Sequence, residues 1–231
     1  MSGNDADRWA ATAAALPTAA RAGRELPFWQ ALIAAWEWRR VADAGCGAGF
    51  HLVMLRDLGL DAIGFDLAVA ALPRGTAAVA GDLLAPPLRP GAFDAALCLG
   101  NTISLLPDRA AQRRALAALA TLVRPGGVVL LQGEDAGALV RQGPVVRTRQ
   151  LEGSGVHVRV FERRGRRVRM LAGVATGDRA SLAEAWLVPT GAGDVVRAAR
   201  PLGLRRIDLP AQPPGAGTGW WVALSARADA P

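Results

Sequence analysis

Asp43-Ala44-Gly45-Cys46-Gly47-Ala48-Gly49 places three alternate glycines directly behind an acid and a short apolar run. A glycine turns tightly and lets backbone amides approach a ligand, and a helix beginning behind the loop adds its positive N-terminal end. That combination suits a nucleotide-like ligand, although the same glycines would also serve a plain tight turn. The spacing is G-x-G-x-G, not the G-x-G-x-x-G that seats a pyrophosphate in dinucleotide folds, so the expected ligand lacks one.

Asp66 follows Asp43 by 23 positions and closes the apolar run Ile63-Gly64-Phe65. An acid ~20 residues past the first is placed to accept ribose hydroxyls. An aspartate there would equally cap a short helix starting at Leu67. Asp82, in Val79-Ala80-Gly81-Asp82-Leu83-Leu84, has the same strand-end setting. Its carboxylate can accept from an adenine amino group while Leu83 or Leu84 packs on the ring; a turn is the competing role. Glu134 and Asp135, behind another apolar run, could orient an amine or take its proton, or be solvated loop acids. His51, next to the loop, reads as a packing or hydrogen-bonding residue.

These residues need elements that bring them to one edge. Residues 5–16 are alanine-rich with helical spacing, and a second helix from Glu25 to Trp38 carries Phe28, Leu32, Ile33 and Trp36 on one face. Val41 to Ala44 reads as a buried strand, Phe50 to Leu58 as a helix and Asp61 to Phe65 as a second strand, which together make a right-handed parallel crossover. Strands near Ala77–Ala80 and Phe93–Leu99, a helix from Asp108 to Val123 and a strand at Val128–Gln132 continue the alternation; Pro125-Gly126-Gly127 supplies a turn. Val156–Glu162 and Arg167–Ala172 then alternate with period two across an Arg164-Gly165 turn, and Leu182–Val188 offers a third strand of an antiparallel insertion. A helix at Gly193–Arg200 and strands at Arg205–Leu209 and Trp220–Ala226 close the chain.

The expected fold is α/β: a doubly wound, Rossmann-like, seven-stranded and mostly parallel sheet whose last strand is antiparallel. It is expected to form one domain over 1–231. A helical cap spans 1–38, the core 39–133, the antiparallel β insertion 134–189, and the last helix and two strands 190–231. Such a sheet binds ligands at the carboxyl ends of its strands, where Gly45, Asp66, Asp82 and Leu99 to Thr102 fall.

Composition narrows the class. A chain that is 51% hydrophobic and 20% charged is globular, and no apolar run approaches the ~20 residues that span a bilayer. Met1 to Asp7 lacks the basic and apolar regions of a secretory signal, so a cytoplasmic protein without membrane contact is expected. The net charge of +7 rests entirely on arginine, lysine being absent. Alongside the alanine, glycine and proline content, this reads as codon composition, and nucleic acid is not the expected partner. Two cysteines and two distant histidines offer no metal-ligand spacing, and no metal is expected. The Arg163, Arg164, Arg166, Arg167 and Arg169 cluster reads as hairpin charge that discourages edge pairing, with an anionic substrate group as the other possibility.

Val41 to Leu72 resembles the first two motifs of bacterial class I S-adenosylmethionine-dependent methyltransferases, and Phe93 to Leu131 resembles the later ones. Leu99-Gly100-Asn101-Thr102 and Arg124-Pro125-Gly126-Gly127 are most similar to the glycine N-methyltransferase branch and its small-molecule relatives. The resemblance implies S-adenosylmethionine as cofactor, with Asp43, Gly45, Cys46, Gly47 and Gly49 at its methionine part, Asp66 at its ribose, and Leu67, Asp82, Leu83 and Leu99 completing the site. Arg24 resembles an arginine that binds the cofactor carboxylate; a solvated role is the alternative. The chain has no tyrosine, and Gln132-Gly133-Glu134-Asp135 replaces a more basic, aromatic stretch, so glycine is not the expected acceptor. The implied activity is methyl transfer to a nitrogen or oxygen of a small molecule, with Asn101 and Glu134 nearest the acceptor and the insertion covering it. A non-catalytic cofactor-binding protein and a nucleic-acid methyltransferase are the alternatives, and the oligomeric state is left open.

Overall fold

The computed structural model describes residues 19–151, 155–177, 179–215 and 219–226. The alanine-rich helix expected over 5–16 lies outside these. Helix α1 (Ala19–Trp36) starts six residues before the expected Glu25 and runs through Pro27. Its inward face is Phe28, Trp29 and Leu32, all buried, with Ile33 and Trp36 partly covered. Each buried side chain of that size is worth roughly 1.5–3 kcal/mol. Glu37, at φ 51, ends the helix in the left-handed region and turns the chain into the sheet.

The core alternates as β1 (Arg40–Ala44), α2 (Phe50–Asp57), β2 (Asp61–Asp66), β3 (Ala78–Ala80), β4 (Phe93–Cys98), α3 (Arg109–Leu122) and β5 (Val123–Glu134). After α4 (Ala136–Leu139) come β6 (Val145–Gln150), β7 (Val156–Arg164), β8 (Arg167–Thr176) and β9 (Arg179–Leu187). Helix α5 (Ala192–Ala199), β10 (Leu204–Ile207) and β11 (Gly219–Ala226) follow. The seven-stranded sheet has the order β10-β11-β5-β4-β1-β2-β3; β3, β2, β1, β4 and β5 are parallel, and β11 runs antiparallel between β5 and β10. The strand order reverses direction between β1 and β4, which opens a crevice at their carboxyl ends. The opposite end is stapled by Asp94: its Oδ2 accepts from the Arg39 and Arg40 amides, both at 2.8 Å, and its Oδ1 from Arg124 Nε at 2.7 Å.

The expected turn at Pro125-Gly126-Gly127 lies within β5, as a shift in register between Phe93 and Ala95 of β4. β10 begins at Leu204, and its final residue is Ile207 in place of the expected Leu209. The insertion is a separate antiparallel sheet of four strands, β6-β7-β8-β9, one more than the alternation indicated. β6 escaped because Arg147 and Arg149 occupy the positions where an inward strand face normally carries apolar residues. The small sheet has its own core, in which Phe161, Val168, Met170 and Leu187 pack with Ala136 and Val140. Among the described residues, no helix is long and apolar enough to cross a membrane.

Candidate active site

The glycine loop leaves β1 and folds back over the end of β2. The amides of Gly45 and Cys46 both donate to the Phe65 carbonyl, at 2.8 and 3.1 Å, and the Gly47 amide donates to Asp66 Oδ2 at 2.8 Å. Gly45 has φ 78, and a Cβ there would stand 2.5 Å from Thr102 Cγ2, so residue 45 must be glycine for the loop to rest on the turn after β4. Cys46 packs against Gly64, and burial, then Asp43 and Asp66, pushes its thiol far above the usual range. It therefore stays protonated and does not act as a thiolate.

Asp66 accepts the Ala68 amide on its other oxygen at 2.8 Å, so its carboxylate is fixed by backbone from two sides. The segment behind it is a 3-10 turn over Val69–Ala71, and Leu67 is exposed. Asp82 accepts the Leu84 amide at 2.9 Å, the turn role, while its neighbour Leu83 is buried. Leu99 is also buried and packs in the core beneath α1; its carbonyl takes the Thr102 hydroxyl at 2.7 Å.

Asp43 is the outlier. Its side chain is buried, and Oδ2 has no hydrogen-bond partner. Burial pushes its carboxyl up to about 6; His51 and Arg21 oppose this, and Asp66 adds to it. A buried carboxylate oxygen left unpaired is costly, and a cationic ligand group would answer it.

Sequence reasoning placed Arg24 at the site and missed its neighbours. Arg24 is exposed on α1 at the lip of the cleft and makes no ion pair among the described residues. Arg21, one turn earlier, donates to Glu25 Oε1 at 2.7 Å, lies 3.1 Å from His51 Nε2 and stacks 4.1 Å from the Phe50 ring centroid. Glu25 Oε2 accepts from Trp29 Nε1 at 3.2 Å and sits 3.0 Å from His51 Nε2. Burial works to raise the Glu25 carboxyl, but the hydrogen bond and charge of His51, and then Arg21, hold it at about 2. The group clamps α1 onto α2 immediately behind the glycine loop. The i,i+4 spacing of Arg21, Glu25 and Trp29 was the available signal.

At the ends of β4 and β5, Asn101 adopts φ 74 and its Oδ1 accepts the Glu134 amide at 2.8 Å, while the Gly100 amide donates to Gln132 Oε1 at 2.7 Å. Glu134 is half-buried and takes a bond from Arg147 Nη1 at 2.5 Å. Asp135 caps α4 through the Ala138 amide at 3.0 Å. A cleft of about 1170 Å³ opens above this floor. α1 walls it on one side, Arg149, His157 and Arg159 of the small sheet on another, and residues 206–215 with Trp221 on a third. The glycine loop, Asp66 and Asp82 lie outside its lining; Thr102, beside Asn101, touches the loop and joins the two halves.

The hairpin arginines face elsewhere. Arg164 pairs with Glu162 and Arg169 with Glu184, while Arg163 and Arg167 donate to the Gly137 and Pro107 carbonyls and so tether the hairpin to the core.

Residues 41–127 match the family described as a methyltransferase domain. The fold is shared over nearly the whole chain with an S-adenosylmethionine-bound amino pentose methyltransferase of Micromonospora echinaspora, at 23% identity and TM-score 0.64 over 90% of this chain and 91% of that one. Over residues 41–127 the chain is thus similar to methyltransferase domains, and its fold is the one such S-adenosylmethionine-binding enzymes share. A sugar N-methyltransferase from a Streptoalloteichus species is 25% identical to this chain, with TM-score 0.67 over 91% of this chain and 88% of that one. A glycine/sarcosine N-methyltransferase of Parasynechococcus marenigrum is 29% identical over 140 residues, 55% of this chain and 49% of the relative. The match thus spans about half the length of that curated relative. The residues present fit the cofactor of this domain: the orphaned Asp43 oxygen suits an ammonium, and the carboxylates of Asp66 and Asp82 follow on successive strand ends.

Proposed function

We propose that the protein transfers a methyl group from S-adenosylmethionine to a nitrogen or oxygen of a small-molecule acceptor held in the cleft over Asn101 and Glu134. One observation carries the reading: Thr102 packs on Gly45, so the turn that carries Asn101 also supports the glycine loop. Donor and acceptor halves thereby share one rigid joint. The named activities of the sugar N-methyltransferase and the glycine/sarcosine N-methyltransferase favour nitrogen as the atom methylated.

Bound S-adenosylmethionine supplies a methyl on a sulfonium, which leaves as a neutral thioether and needs no proton. The protein's work is then to position, to desolvate and to receive the acceptor's proton. Asp43 takes the ammonium of the methionine part on its free oxygen, Asp66 the ribose hydroxyls, and Asp82 the adenine amino group with Leu67 and Leu83 beside it; Arg24 meets the carboxylate. Gly45, Cys46, Gly47, Gly49 and Leu99 shape the backbone around them. Asn101 fixes the backbone of Glu134, whose carboxylate orients the acceptor and accepts its proton once the new bond has formed. The small sheet covers the acceptor. Calorimetric titration with S-adenosylmethionine is the test, followed by an acceptor screen scored by S-adenosylhomocysteine release. No heat of binding at millimolar cofactor refutes the reading.

A further inference from the structure

The inner face of the small sheet carries positive charge that its surroundings do not balance. On β6 and β7, Arg147 stands opposite Arg159 and Arg149 opposite His157, all four on one face of the sheet. Arg147 is taken by Glu134. Arg149 and Arg159 both line the cleft, and the side chain of neither makes a hydrogen bond or ion pair among the described residues. The carboxylates that share the cleft lining are Glu25, committed to Arg21 and His51; Glu134, paired with Arg147; and Asp208, on the wall formed by residues 206–215.

Arg159 is half-buried, with Ala172 as its neighbour on β8. Burial works against its charge; Glu134 supports it, and Arg147 and Arg149 oppose it, so its pKa lies below the usual arginine value. His157 is buried, and burial, then Arg159 and Arg149, lowers its pKa, which leaves a neutral imidazole as a hydrogen-bonding group. A guanidinium partly withdrawn from water without an ion-pair partner is unfavourable in the ligand-free fold.

We propose that Arg149, Arg159 and His157 form a subsite for a dianionic phosphoryl group, so that the methyl acceptor is a small phosphorylated molecule whose reacting atom lies beside Glu134. This rests on the acceptor cleft assigned above. Two guanidiniums without an ion pair among the described residues match the charge of a phosphate monoester, and their forked donors with the imidazole can serve its three terminal oxygens. A single carboxylate would leave one arginine unanswered.

The test uses the full chain, saturated with S-adenosylhomocysteine and titrated with inorganic phosphate, with acetate as the control at matched ionic strength. Phosphate is expected to bind at millimolar concentration, and Arg159→Gln to weaken it at least tenfold without changing the affinity for S-adenosylhomocysteine. Arg159→Lys, which keeps the charge and loses the fork, falls between. In phosphate-free buffer Arg159→Gln should melt at the same temperature as the parent or higher; a fall would mean a structural role and overturn the proposal. Unchanged phosphate affinity in the variant overturns it too, as does acetate binding as tightly as phosphate. Should Arg159→Gln fail to fold, Arg149→Gln, at an exposed position, carries the same expectation. Absence of S-adenosylhomocysteine binding would instead remove the methyl-transfer reading, and phosphate titrated onto the ligand-free chain would still decide the subsite.

Discussion

Replacing Asp43 by asparagine separates the cost of a buried carboxylate from its use. The carboxyl is pushed up to about 6 by burial in the fold, against about 4 in an unfolded chain. Ionising it therefore costs the native state about 2 pKa units, or ~3 kcal/mol at neutral pH. Asparagine keeps the shape and removes the charge, but its amide inherits an unpartnered position at a cost of about 1 kcal/mol. The net expectation is a gain of about 2 kcal/mol at pH 7.5, or roughly 4–8 °C in Tm for a chain of this size. The sign follows from linkage: a carboxyl with a raised native pKa stabilises the fold fully below pH ~4, and that contribution is lost as pH rises through about 6. At pH 4 the advantage of asparagine should vanish or reverse. His157, lowered by burial and then by Arg159 and Arg149, works in the opposite sense, but both chains contain it and it cancels. Cofactor affinity should move the other way and fall about 10- to 100-fold, the worth of one charged hydrogen bond. Urea unfolding at pH 4 and 7.5 with calorimetric titration checks all three. A less stable variant at pH 7.5, an equal gain at both pH values, or unchanged cofactor affinity refutes the reasoning.

Gly45→Ala forces a side chain into the left-handed region and onto Thr102, and should cost at least ~2 kcal/mol by chemical denaturation and abolish measurable cofactor binding. Glu25→Gln removes a carboxylate held at about 2 by His51 and Arg21 against its own burial; the fold should lose about 3 kcal/mol at pH 7. That contribution is present above pH ~4.5 and lost as pH falls through about 2, so the gap to the parent should be about halved at pH 3 in urea titrations. Asn101→Ala deprives the Glu134 amide of its acceptor and should lower kcat about tenfold or more with little change in cofactor affinity; Asn101→Asp keeps the accepting oxygen and should restore most of the stability lost. Equal losses in kcat and cofactor affinity would contradict the place given to Asn101.

The parallel core was legible because its strands are short apolar runs that stop at Gly45, Asp66 and Asn101, where the period changes from strand to turn. The start of α1 was not, because Pro27 looks like a helix boundary and hides a helix already two turns old. Asp66 illustrates why ligand and capping roles could not be separated in one dimension: its carboxylate holds the Gly47 and Ala68 amides and still faces the loop. Charge was the least legible property. The conspicuous run of arginines at 163–169 is largely engaged by nearby acids and carbonyls. Arg149 and Arg159, ten positions apart and unremarkable in sequence, meet only through the β6–β7 pairing.

The small sheet has a core of its own, leaves the main sheet after Glu134 and returns at Thr190, whose hydroxyl and neighbours are fastened to Gln112 and Ser104. Inheritance can therefore act on the two parts at different speeds. With the acceptor site proposed above, changes at positions such as 149, 157 and 159 would alter what is admitted over Glu134 while the glycine loop and Asp43 keep their packing. A lineage can thus explore new acceptors without first relearning how to hold the methyl donor.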